Sequence, residues 1–108
     1  MLAIAACSIA SGSYAAQKAE TKDLIRLMNA SRGLDFAKRC NKAVGGEDES
    51  IAFFQGVVAE QEKKVGKFEP KLAKLFGHLQ AESIARVERK HLKAYCFERL
   101  HEIRSEVS

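Results

Sequence analysis

The chain has 108 residues, 46% hydrophobic and 30% charged, and 18 Lys and Arg against 14 Asp and Glu leave a formal net charge of +4. That is enough for one domain with a modest core, not for two. With no Trp, no zinc-finger cysteine spacing, no RNP-like aromatic motif and no run of five like charges, the basic balance lacks the other footprints of nucleic-acid binding.

Met1 to Ala16 carries no charged residue, and it ends in Ser13-Tyr14-Ala15 followed by Ala16. An apolar run from Leu2 to Ala10 with small residues at 13 and 15 is the pattern of a secretory signal. The charged start of such a signal is missing, since the first basic residue is Lys18. Residues 1–15 are therefore expected to be a signal peptide truncated at its start, and residues 16–108 a single helical domain. Ile4-Ala5-Ala6-Cys7 resembles a bacterial lipoprotein processing box, but too little apolar sequence precedes it. As a transmembrane anchor the segment fails, because it is interrupted by Ser8, Ser11, Gly12 and Ser13 and a span takes about 20 apolar residues. The alternative is the Ala-rich first helix of a cytoplasmic bundle.

A first helix is expected over residues 17–31, with Leu24, Ile25, Leu27 and Met28 as its apolar stripe and Gly33 as a left-handed C-terminal cap. A short helix over 34–44 follows, with Leu34, Phe36, Ala37, Cys40 and Val44 inward and Gly45-Gly46 stopping it. Asp48 or Ser50 is expected to cap the next helix, with Glu47, Asp48 and Glu49 near the positive end of its dipole. Its face is Ile51, Phe54, Val58 and Val65, widened by Phe53 and Val57, and it ends near Gly66. Glu69-Pro70 reads as a helix start, because proline lacks an N–H that the first turn does not use. From there to about Ser105 runs the longest periodic segment, through Leu72, Leu75, Phe76, Leu79, Val87, Leu92, Cys96, Leu100 and Ile103, with Gly77 placed to bend it. Sustained alternation and Asn-Gly or Asp-Gly dipeptides are absent, so strands have no support. The fold class expected is all-α: a small antiparallel helical bundle with a long C-terminal helix.

Cys40 and Cys96 survive signal removal and fall on the apolar faces of different helices, where a disulfide would pin one to the other. Two buried thiols would take the same orientation. The charges are segregated: residues 17–44 hold 7 basic and 3 acidic groups, 45–62 hold 5 acidic and no basic groups, and 63–99 hold 10 basic and 4 acidic. Such polarity suits steering toward an oppositely charged surface.

Catalytic constellations are scarce. Glu88-Arg-Lys-His91 and Glu98-Arg-Leu-His101 have the spacing that di-metal bundles use. Ten residues of helix place them about 15 Å apart, and Arg89, Lys90, Lys93 and Arg99 crowd them with positive charge. His78 and Glu82 make only two ligands, so a hydrogen bond is the better reading. No Gly-x-Ser-x-Gly elbow, phosphate loop, CxxC pair or calcium loop occurs, and no metal, cofactor or enzymatic activity is expected.

By elimination, the expected function lies in a surface: an exported, non-catalytic protein, periplasmic or secreted, that binds another protein as an inhibitor, immunity factor, chaperone or adaptor does. Candidate contacts are Arg86, Lys90 and Lys93 on the basic helix, Glu47, Asp48 and Glu49 in the acidic turn, and Phe53 and Phe97 beside the main stripes. Nucleic acid is disfavoured, and self-association into a homodimer is left open. The alternative is an intracellular helical domain that binds a polyanion or a partner helix through residues 63–99.

Overall fold

The structure, a computed structural model, describes the backbone of residues 2–108 and the side chains of residues 21–108. The expected signal segment 1–15, with its Cys7 box, lies outside the side chains described. Four helices follow in order: α1 Leu2–Val44, α2 Asp48–Val65, α3 Pro70–Ala85 and α4 Arg89–Val107. Among the described residues there is no strand. The fold is a small antiparallel helical bundle, and α1 is the element against which the other three pack.

The punctuation between helices follows local chemistry. Gly45 and Gly46 take φ of 72° and 81°, a left-handed conformation that stops α1 at no steric cost. Gly66, at φ 88°, ends α2 and returns its N–H to the Glu62 carbonyl. Glu69 caps α3 by accepting from the Lys71 N–H at 3.2 Å, with Pro70 in the first turn. The expected cap of α2 differs. Glu47 occupies the N-cap position without a side-chain bond, Asp48 is already helical and Ser50 is buried. Asn41 does the work across the loop, accepting from the Glu47 N–H at 2.9 Å and donating to Asp48 at 3.4 Å.

Two boundaries depart from expectation. Gly33 does not cap a helix; α1 runs straight through it. A Cβ there would lie within 2.7 Å of three atoms of the Phe54 ring, so the missing side chain is what lets α2 approach α1. The segment from Pro70 to Ser105 is also two helices rather than one. The chain turns at Arg86, Val87 and Glu88, and Glu88 is extended (φ −62°, ψ 138°). A single helix of that length would run about 54 Å and lay only one of its halves on α1. The reversal lets both halves pack there, with Ile84 and Val87 closing against the core. Gly77 sits within α3, beneath the Arg39 guanidinium and beside Asp35.

The core consists of Leu27, Ala30, Phe36, Ala37 and Cys40 from α1, Phe54 and Val57 from α2, and Leu92, Cys96, Leu100, Ile103 and Val107 from α4. The inward stripe of α2 is Ser50, Phe54, Val57 and Gln61, rotated from the expected one so that Ile51 and Val58 are only half-buried. On α1, Leu27 is inside while Leu24 and Ile25 are exposed. Leu75 and Leu79 of α3 are also exposed. Cys40 and Cys96 are fully buried at disulfide-bonding distance, with Cα atoms 6.0 Å apart.

Candidate functional site: the outer face of α4

α4 is bound on its inner side by residues 92, 96, 100, 103 and 107, spaced by four, four, three and four. That fixes which residues look outward. Lys90, Lys93, Phe97, His101 and Arg104 recur at intervals of three and four and so share a second face, about 21 Å long. Phe97 stands at its midpoint and is 70% exposed, more than any other large hydrophobic side chain described. Burying a phenylalanine is worth about 1.5–3 kcal/mol, so leaving this one in water forgoes a large stabilisation.

The α1–α2 turn flanks this face. Gly46 and Glu47 from the turn and Glu49 and Ser50 from the start of α2 meet Phe97, Leu100, His101 and Arg104 from α4 around a cavity of about 190 Å³. Three of the sequence-named contacts, Glu47, Glu49 and Phe97, therefore line one cavity. Arg104 joins the two sides: its guanidinium is 3.7 Å from Glu49 and lies 4.2 Å above the Phe53 ring. A cation over an aromatic face contributes about 0.5–1 kcal/mol at such an exposed site. Phe53 is thus half-buried beneath Arg104 and set edge-on to Phe54, with ring centroids 5.3 Å apart.

The remaining sequence-named residues sit at the edge of this face or beyond it. Lys90 and Lys93 occupy its N-terminal end; Lys90 is 3.5 Å from Glu88, and Lys93 has no ion pair among the described residues. Arg86 lies in the α3–α4 turn, 4.0 Å from Glu82. Asp48 is exposed at the start of α2 and faces Asn41. Sequence reasoning missed His101 and Arg104 as members of the cavity. Their interval from Phe97 was visible, but the nearness of the α1–α2 turn was not.

The two Glu-x-x-His pairs do not converge. The His91 N–H donates to the Glu88 carbonyl at 2.9 Å as part of the α4 start, while His101 lines the cavity and Glu98 is exposed. His78 and Glu82 are exposed, with Glu82 directed to Arg86. Among the described residues no group of three His, Cys, Asp or Glu side chains is placed to hold a metal ion. Nor, among the described residues, is any helix long and apolar enough to cross a membrane. No protein-family model matches the chain, and no curated protein or solved structure matches it significantly.

Proposed function

We propose that this is an exported, non-catalytic binding protein that captures an acidic protein surface with the outer face of α4. The observation that carries the reading is Phe97, exposed at the centre of a line of basic groups running from Lys90 and Lys93 to His101 and Arg104. Hot spots of protein interfaces centre on aromatic and arginine anchors inside a polar rim. A basic line steers an acidic partner and sets its register, while Phe97 contributes most of the affinity. Support for export comes from the uncharged opening residues and from a cysteine pair at bonding distance, since such bridges persist in oxidising compartments.

The test is capture of partner from an extract of the source organism with the full chain as bait. Phe97→Ala is expected to weaken capture at least tenfold, in keeping with about 2 kcal/mol for a hot-spot residue. Lys90→Glu with Lys93→Glu is expected to slow association and reduce its dependence on salt. Both sites are exposed, so the fold should be unaffected, as circular dichroism would show. Undiminished capture by both variants would remove α4 from the interface. Intact mass of the protein recovered from its source tests export separately: loss of about fifteen residues is expected.

A further inference from the structure

A second concavity lies on another side of the molecule, where α1, α3 and α4 meet, and it is lined by side chains of a different kind. Arg32 and Phe36 enter from α1, Phe76, Leu79, Gln80 and Ser83 from α3, and Tyr95 and Arg99 from α4. Its volume is about 240 Å³, just below the roughly 300–1,000 Å³ of sites for drug-sized ligands. Phe36 meets Tyr95 edge-on at 5.9 Å between ring centroids, which makes one wall aromatic and stiff.

The polar groups of this cavity have donor capacity left over. Arg32 donates from Nη2 to Glu106, yet its Nε is buried with no hydrogen-bond partner, alone in that respect among the described side-chain atoms. A buried guanidinium N–H without an acceptor costs about 1–3 kcal/mol or more, and a shift of the Arg32 side chain toward an acceptor held in the cavity would recover it. Arg99 uses Nη1 on Glu102 at 2.9 Å. Ser83 and Tyr95 share a hydrogen bond. Two hydroxyls hold two protons and one bond consumes one, so this pair keeps a donor as well. Two of the groups are cationic, the hydroxyl pair can donate as well as accept, Gln80 gives its Nε2 to Asp35 at 2.8 Å, and the remaining wall is aromatic or aliphatic.

We infer that this cavity is a binding site for a small organic anion, a carboxylate or similar group carried on an aromatic or short aliphatic body. Arg32 and Arg99 take the charged end, the Ser83–Tyr95 pair donates to it, and Phe36 and Phe76 cover the body. Glu106 competes with the ligand for Arg32. The site is separate from the α4 face that carries Phe97 and does not depend on the reading of that face.

The experiment uses the full chain with its cysteines oxidised and three probes in titration calorimetry: 3-phenylpropionate, 3-phenylpropan-1-ol and propionate. 3-Phenylpropionate is expected to bind at least tenfold more tightly than either of the others, since one lacks the charge and the other the ring. Amide and aromatic NMR signals of Ser83, Tyr95 and Phe76 should shift on binding. Arg32→Gln is expected to weaken binding at least tenfold, and Glu106→Gln to tighten it several-fold, a gain that a merely structural role for Arg32 would not produce. If Arg32→Gln fails to fold, Arg99→Gln replaces it, with weakening again expected. Equal binding of acid and alcohol, no binding at millimolar concentration, shifts confined to other residues, or an unchanged affinity in Glu106→Gln would each overturn the proposal.

Discussion

Gln61 is the residue whose environment is hardest to anticipate from its type. It is fully buried where, Ser50 apart, the buried residues described are apolar, and its amide is satisfied on both sides: Oε1 accepts from Arg26 Nη1 at 2.7 Å, and Nε2 donates to the Asp23 carbonyl at 3.2 Å and to Asp23 Oδ1 at 3.0 Å. Arg26 also donates from Nε to the Val107 carbonyl at 2.8 Å, which supplies one of the orphan acceptors at the end of α4 and sets a cation at the negative pole of that helix. One arginine thereby joins α1, α2 and α4. Replacing it strands Gln61 Oε1 in the core, so Arg26→Met is expected to lower stability by about 2 kcal/mol, read from the urea midpoint at unchanged m-value. Adding Gln61→Leu should recover part of that loss, because it removes the stranded amide. A change within about 0.5 kcal/mol for Arg26→Met, the range of ordinary surface substitutions, would show that the network contributes nothing.

At the scale of elements, two glycines inside helices make opposite predictions. Gly33 in α1 lies under the Phe54 ring, whereas Gly56 in α2 is exposed and a Cβ there would meet nothing within 4 Å. Alanine gains about 1 kcal/mol of helix propensity over glycine at either place. At 56 that gain should appear as added stability. At 33 it is outweighed by overpacking a ring that is itself fully buried, which costs about 1–3 kcal/mol. Thermal melts of Gly56→Ala and Gly33→Ala should therefore move in opposite directions from the parent. Movement of both upward would mean that α1 and α2 separate without cost at Phe54, against the packing described. The same comparison explains why Gly33 reads as a cap in the sequence: a glycine needed for close approach and one needed for positive φ look identical until the opposing helix is known.

For the whole molecule, the cysteine pair between α1 and α4 lies at the distance at which a bond would tie the two helices together. Cys40 and Cys96 are separated by 56 residues in sequence, and closing a loop of that size removes about 4 kcal/mol of unfolded-state entropy. In a domain this small, that is a large part of a typical total stability. Cys96→Ser is expected to lower the melting temperature by more than about 15 °C, and peptide mapping without reductant should recover the two cysteine peptides joined. Separate peptides, or a melt unchanged by Cys96→Ser, would show that the thiols are packed but not bonded. The direction of the link agrees with other contacts: Arg26 meets Val107, Arg32 meets Glu106 and Cys40 meets Cys96, so α4 runs antiparallel to α1 along its length. On the other flank Gln80 donates to Asp35 at 2.8 Å and fixes α3 to the same helix.

Much of this arrangement is legible in the residues alone. The helical class, the stops at Gly45-Gly46 and Gly66, the start at Glu69-Pro70 and the inward placement of Cys40 and Cys96 follow from periodicity and capping, which act over one or two turns of chain. The place of Phe97 beside the stripe of 96 and 100 follows too, while its exposure, against the core packing that large aromatics ordinarily take, is read from the tertiary structure. Only the tertiary structure decided that α1 continues through Gly33, that the chain reverses at Arg86–Glu88 with neither Gly nor Pro to mark the place, and that Leu27 rather than Leu24 is buried. It likewise decided that Glu47 and Glu49 share a cavity with Phe97, and that Arg32, which keeps a buried unpartnered N–H, lines another with Tyr95 and Arg99. Each of these depends on what lies across from a residue, and the opposing surface comes from parts of the chain that no local pattern brings together.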